Sequence, residues 1–442
     1  MKADALLIRN GLVIDPDSGM EGLRDVLVRG GKVAAVARDF SRSSRLPPGT
    51  VTLEARGCWV VPGLIDLHVH LREPGGEQSE TIASGTRAAA RGGVTTLVAM
   101  PNTRPVPDTP ARLRRLRERI RRDAVVNVLP CAAVTDGQAG SRLADLEGLA
   151  RAGAAAFSDD GRPVSDPRLM EEALFRAGRL GLPVLDHAED PVLTGVGVVR
   201  ESPASRRARW PGIPAESESA MALRDIALAR RSGGRLHVCH VSCAQTLAVL
   251  RWAKCEGLPV TAEAAPHHFT LSLDDIPYGS SRRAADFKMK PPLGTPEDRN
   301  ALQTALADGT LDAIATDHAP HAPEAKACGV LRAPFGVIGL ETLVPLSLEL
   351  VRRKVLGRRR LIELLSAGPA RVLGLRAKGS LRRGADGDVT VIDPAASFSV
   401  DGDFASASRN SPFIGRVLRG AVRATVVAGR LVYFRKDGGR PR

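Results

Sequence analysis

Apolar and polar positions alternate with a period near two along ALLIRNGLVID, DVLVRGGKVAAVA and VTLEARGCWVV in the first sixty residues. This pattern predicts short β-strands with a turn at Gly30 and Gly31. The last seventy residues share the texture: DGDVTVIDP, FSV and ATVVAGRLVYFR, the last a hairpin around Ala428 and Gly429. Two β-rich ends flank a different middle, so they are expected to pair into one small β-sandwich.

Between Pro62 and about Leu375 the pattern becomes strand-then-helix. Eight strands are predicted: LIDLHVH, TTLVAMP, VVNVLPCAAV, AAAFSDD, PVLDHAE, LHVCHVS, PVTAEAAPHH and DAIATDHAP. Helical runs such as SETIASGTRAAARGG, DPRLMEEALFRAGRLG, SAMALRDIALARRSG and AQTLAVLRWAKCEG lie between them, several closed by a C-terminal glycine. Eight β-α units in succession predict an α/β fold, a (β/α)8 TIM-type barrel. The expected division is residues 1–61 and 376–442 for the β-sandwich and 62–375 for the barrel.

Composition and charge exclude more than they specify. At 442 residues, with 43% hydrophobic and 25% charged, the chain has the make-up of a large globular domain with a smaller companion. It has no run of about 18 apolar residues, and MKADALLIRNGLVIDPDSG lacks the apolar core of a signal peptide. A cytoplasmic, soluble protein without membrane contact is expected. Cys58, Cys131, Cys239, Cys243, Cys255 and Cys328 form no CxxC pair and are expected to be reduced and mostly buried.

The net charge of +14 raises the question of nucleic acid. In Ala111–Asp123, however, Leu113, Leu116 and Ile120 fall at helical spacing and the arginines take the other face, as on a solvated helix. No helix-turn-helix, zinc-finger or aromatic-interleaved basic pattern accompanies the charge, so nucleic acid is not an expected partner.

Candidate chemistry sits where a barrel places it, at the C-terminal ends of the strands. In GLIDLHVHLREPG (Gly63–Gly75), His68 and His70 are two apart and share a face of the first strand. The later strand ends carry Asn102, Asp159 and Asp160, His187, His240, His267 and His268, then Asp317 and His318. Imidazole and carboxylate suit a borderline cation such as zinc. His68, His70, Asp160, His187, His240 and Asp317 are rich for one metal and natural for two, and a two-metal site implies hydrolysis. His237 lies three residues from His240, on the opposite strand face, and is expected to be packed. His267 and His268 are also expected to be structural, and His318 to face away from Asp317.

HVH, DHAE, HVCHVS, ATDHAPH and the closing GADGDVTVID resemble the cyclic amidohydrolase family, a barrel flanked by a β-sandwich from both chain ends. Within it, HLREPGGE, AMPNTRPVPD, FSDDG, FKMKPPL and RAPFG resemble the bacterial class I dihydroorotases, which interconvert N-carbamoyl-L-aspartate and L-dihydroorotate in pyrimidine synthesis. The resemblance covers essentially the whole chain. It implies two zinc ions per subunit, one on His68, His70 and Asp317 and the other on His187 and His240. Asp160 would bridge them, where many relatives carry a carbamylated lysine; Asp159 is the alternative. Asp317 would also shuttle the proton between the attacking water and the leaving nitrogen.

Arg72 offers a planar fork for the substrate carboxylate, with Asn102 and His321 as further donors. Phe335 and Gly336 of RAPFG complete the expected substrate side. Lys290 stands in FKMKPPL where the resembling enzymes usually carry asparagine, and is expected to reach the substrate carboxylate beside Arg72. A homo-oligomer is expected, with aspartate transcarbamoylase as a possible partner. Rival readings are a hydantoinase or allantoinase and a non-catalytic scaffold for the transcarbamoylase.

Overall fold

The alternation at the chain ends becomes strand pairing in a computed structural model that describes residues 5–40 and 46–435. Residues 1–4 and 436–442 of the expected terminal segments lie outside that description. β1 (Ala5–Asp15), β2 (Met20–Arg29) and β3 (Lys32–Ala37) form an antiparallel meander. β4 (Val51–Glu54) runs parallel to the first half of β1 and β5 (Trp59–Pro62) to its second half, and the β1–β2 pairing shifts register between Ile8 and Gly11.

The chain then enters the barrel through β6 (Leu64–Val69), β7 (Val94–Ala99), β8 (Asn127–Ala132), β9 (Ala156–Phe157) and β10 (Val184–Asp186). After a small parallel pair, β11 (Val199–Arg200) and β12 (Gly212–Ile213), it completes the barrel with β13 (Leu236–Val238), β14 (Val260–Ala264) and β15 (Ala313–Ile314). These eight barrel strands are the eight predicted, joined in sequence order. The ring closes where Val69 bridges His318 and the His70 N–H donates to the His318 carbonyl at 2.9 Å.

β16 (Val389–Ser399), β17 (Val417–Val427) and β18 (Arg430–Phe434) return to the terminal sheet, β16 pairing antiparallel with β5. The two chain ends therefore make one continuous eight-stranded sheet. Its buried positions from both ends, among them Leu6, Val13, Val26, Val60, Val389 and Val426, share one apolar cluster. Gly63 marks the junction of sheet and barrel. A Cβ there would collide with Thr95 and Asp388, and its N–H donates to the Asp388 carbonyl at 2.9 Å.

The barrel helices begin and end where local chemistry dictates. Thr81 caps Ile82–Arg91, Asp166 caps Pro167–Arg179, and Gly233 in the left-handed region ends Glu216–Ser232. In Pro110–Asp123 the buried residues are Leu113, Leu116 and Ile120, so the arginine face is turned away from the core. Among the described residues no helix is long and apolar enough to cross a membrane. The six cysteines are free; Cys58, Cys131, Cys239 and Cys243 are buried, whereas Cys255 is exposed.

Candidate active site

The two histidines of β6 and its end meet side chains from four other strand ends. Asp317 Oδ1 lies 3.6 Å from His68 Nε2 and 3.2 Å from His70 Nε2. The same nitrogens lie 3.3 Å from Asp160 Oδ1 and 3.5 Å from Asp160 Oδ2, respectively. Across the barrel mouth, His187 Nδ1 is 3.4 Å from Asp160 Oδ1 and 3.1 Å from His240 Nε2. Asp160 thus faces both halves of the cluster. Its neighbour Asp159 points the other way and accepts from the Val134 N–H at 2.8 Å and from the Thr135 N–H and hydroxyl.

These spacings fit a divalent cation. Donor atoms bound at about 2.0–2.2 Å in a tetrahedron stand roughly 3.3–3.6 Å apart, close to the separations found here. His68 Nε2 is buried without a hydrogen-bond partner, as a ring nitrogen aimed at a cation would be. Among the described residues three trios bring ligand atoms within 4.8 Å of one another: His68–His70–Asp317, His68–Asp160–His240 and, behind His68, His68–Cys239–Glu263.

Electrostatics agree. Burial would raise the Asp317 carboxyl, yet the hydrogen bond with His70 and the nearby His68 and His240 hold it well below the ordinary carboxylate range. Burial opposes charge on His187, but the Asp160 and Glu189 carboxylates raise it to about 10. The cluster favours positive charge at its centre.

A second layer orients the rings. His70 Nδ1 is 3.0 Å from Asn102 Oδ1, so it carries the proton and leaves Nε2 for the cluster. Asn102 therefore spends its oxygen on His70 and keeps its amide N–H groups for the mouth. Behind His68, Nδ1 faces Glu263 Oε1 at 3.6 Å, and Glu263 Oε2 meets His237 Nε2 at 3.1 Å. His237 is packed in the interior and bonds Thr261 Oγ1 at 2.8 Å. Glu263 is a site residue that sequence reasoning missed, although a glutamate inside the apolar run PVTAEAAP was a signal that could have found it. His268 Nε2 donates to the Pro291 carbonyl at 2.9 Å, and His318 Nε2 reaches Glu80 at 3.2 Å, away from the cluster.

The rim holds Arg72, His321, Phe335 and Gly336. Arg72 Nε donates to the Pro320 carbonyl at 3.1 Å, and its Nη2 lies 3.4 Å from His321 Nε2. His321 corrects an expectation. Its Nε2 lies 2.7 Å from the Phe335 carbonyl and must carry the proton, and burial with the Arg72 charge pushes the ring down to about 3. A neutral ring that has spent its one N–H cannot also donate to a substrate carboxylate; its other nitrogen can only accept. Lys290 also differs from expectation: its ammonium meets Glu189 Oε1 at 2.7 Å and lies 5.2 Å from the Phe335 ring centre. Its ammonium is thus paired with the carboxylate beside His187.

Arg72, His240 and Asp317 have positive φ, at 58°, 36° and 46°. Such backbone costs about 1–3 kcal/mol per residue and concentrates at functional sites.

An eight-stranded parallel barrel with imidazoles and carboxylates converging at its C-terminal mouth defines a metal-dependent hydrolase of the cyclic amide class. A family model described as dihydro-orotase-like matches residues 57–246. The dihydroorotase of Anaeromyxobacter dehalogenans is 49% identical, covering 98% of this chain and 98% of its own. That of Pelotomaculum thermopropionicum is 47% identical over 97% of this chain and 98% of its own. Among solved structures, the L-hydantoinase (dihydropyrimidinase) of Arthrobacter aurescens matches with a TM-score of 0.86 at 25% identity, covering 99% of this chain and 97% of that one. The chain belongs to the dihydroorotase family.

Proposed function

We propose that this chain is a class I dihydroorotase that uses two zinc ions per subunit to interconvert N-carbamoyl-L-aspartate and L-dihydroorotate for pyrimidine synthesis. The observation that carries the substrate reading is Arg72: its guanidinium is fixed by the Pro320 carbonyl, and among the described residues no carboxylate forms an ion pair with it. A planar fork held at the mouth without a protein anion suits the free carboxylate of dihydroorotate. Hydantoin lacks that group.

His68, His70 and Asp317 would hold one ion, His187 and His240 the other, with Asp160 between them. Ions held there would supply polarisation of the ring carbonyl and a water nucleophilic near neutral pH. In ring opening, Asp317 takes the proton of the attacking water and passes it to the ring nitrogen as the C–N bond breaks; closure reverses both transfers. The amide N–H groups of Asn102 face the substrate, His321 accepts from it, and Phe335 and Gly336 form its outer wall. The same reading covers residues 62–375 as the catalytic unit, with 1–61 and 376–442 as its companion, in a cytoplasmic homo-oligomer. Aspartate transcarbamoylase is its proposed partner, tested by co-elution and stimulated turnover on mixing.

Elemental analysis of the purified protein, combined with assays on dihydroorotate and hydantoin, tests the proposal. Two zinc ions and strong preference for dihydroorotate are expected. Equal turnover of hydantoin would favour the hydantoinase reading suggested by the structural neighbours.

A further inference from the structure

Two buried polar side chains that play no part in the ligand cluster converge on one carbonyl at the rim. The Lys326 ammonium, 5% exposed, donates to the carbonyls of Gly336 at 3.0 Å, Pro334 at 3.1 Å and Lys288 at 3.3 Å. Asn410, 4% exposed, donates from Nδ2 to the carbonyls of Gly336 and Ala319, both at 3.0 Å, and accepts the His321 N–H on Oδ1 at 3.1 Å. These partners leave no freedom in the amide's orientation. The Gly336 N–H donates to the Lys288 carbonyl at 2.9 Å, and the Asn410 carbonyl receives the Ile338 N–H at 2.9 Å.

Buried lysine and asparagine are uncommon, and one with all its donors engaged in backbone carbonyls holds separate segments in a single register. Here the segments are 288–290, 319–321 and 334–338. Gly336 sits at φ 134°, and a Cβ on it would stand 2.6 Å from Ala319 Cβ and 3.0 Å from His321 Nε2, so the strands of the rim are pressed together at this point.

We infer that Lys326 and Asn410 are positioning residues, a double latch on the Gly336 carbonyl that sets the placement of Phe335, Gly336 and His321 against the substrate. The inference rests on the reading of those three residues as the substrate's wall. Asn410 lies in the segment between β16 and β17, so the terminal sheet unit supplies part of the substrate pocket's frame. That gives a physical reason for both chain ends to travel with the barrel.

The test uses the full chain loaded with metal, in K326M, N410S and the double variant. N410D is the fallback if N410S fails to fold, since it keeps the shape and the His321 bond but turns an acceptor toward two carbonyls. Each variant is expected to raise KM by about tenfold, the scale of one or two lost hydrogen bonds. Turnover should stay within about threefold, because the latch holds bound substrate rather than moving the proton. Metal content should match wild type, and hydrogen exchange across residues 333–338 should quicken. Because both residues hold one carbonyl, the double variant should fall short of the product of the singles.

KM within about twofold of wild type in folded, loaded variants would overturn the inference, as would unchanged exchange. KM is measured on whichever cyclic amide the wild type turns over. A wild type active on hydantoin and idle on dihydroorotate would thus refute the substrate reading while the latch is still judged by its own result.

Discussion

The Lys290 ammonium and the Glu189 carboxylate are 2.7 Å apart, and the far oxygen of Glu189 faces His187 Nε2 at 3.5 Å. A lysine from the segment after the seventh barrel strand therefore bears on a proposed metal ligand of the fifth. Burial would raise the Glu189 carboxyl, but the His187 and Lys290 contacts hold it down at about 2. It is an anion throughout the working range.

Lys290→Met should therefore lower turnover by about tenfold and leave KM within about twofold, because its ammonium is engaged by Glu189 beside a proposed ligand. Glu189→Gln combined with Lys290→Met should be no worse than Lys290→Met alone, since the partner charge goes too. Steady-state kinetics on the four proteins decide this. A rise in KM at unchanged turnover would return the ammonium to the substrate carboxylate.

Much of this arrangement is legible in the sequence, and the exceptions have physical causes. The eight barrel strands announce themselves because short apolar runs, most of them ending near histidine or aspartate, recur between helices with clear stops. Alternation allows only one of Asp159 and Asp160 to face the cluster, and the resemblance carried by FSDDG favours Asp160. Directions of hydrogen bonds are not legible: whether His321 donates outward depends on where the Phe335 carbonyl lies, 14 residues away. Asn410 gives no signal either, since it belongs to no periodic segment and its partner His321 is 89 residues distant. Lys326 reads as a solvated lysine on a short helix until the three carbonyls around it are seen.

On the proposed mechanism Asp317 both ligates and moves the proton. Asp317→Ala should lower turnover at least about a hundredfold, the usual loss when proton transfer fails. Circular dichroism should show the fold retained. Activity within a few-fold of wild type would assign the proton transfer to another group.

The neighbouring aspartates should separate cleanly. Asp160→Ala should lose metal on dialysis, whereas Asp159→Ala should keep it and lose thermal stability, because the Val134 and Thr135 N–H groups and the Thr135 hydroxyl would be left buried without their acceptor. Reconstitution of metal-free wild type with zinc should proceed in bicarbonate-free buffer, as a side-chain carboxylate needs no carbon dioxide to assemble. Elemental analysis reads all three, and a strict bicarbonate requirement would point to a carbamylated lysine.

The latch predicts an opposed pair of pH effects. Burial lowers Lys326 to about 7, with Asp286 and Cys328 pulling it up and Lys288 pushing it down. An ammonium has three N–H bonds for the three carbonyls of Lys288, Pro334 and Gly336; a neutral amine has two. As pH rises through about 7 one carbonyl loses its donor, the wall loosens, and KM should climb.

Stability should move the other way. The unfolded lysine keeps its proton to near the ordinary value of 10.5, so from pH 7 to 10.5 the unfolded state binds more protons than the folded one, and folding gains as pH rises. Below pH 7 both states are protonated and the effect is flat. Relative to Lys326→Met, wild type should thus show rising KM together with rising melting temperature between pH 7 and 10. General loosening of the protein would move both for the worse, and only deprotonation at the latch separates their signs. A wild-type KM that tracks the methionine variant across this range would mean that Lys326 keeps its proton and that its three carbonyls, rather than its burial, set its charge.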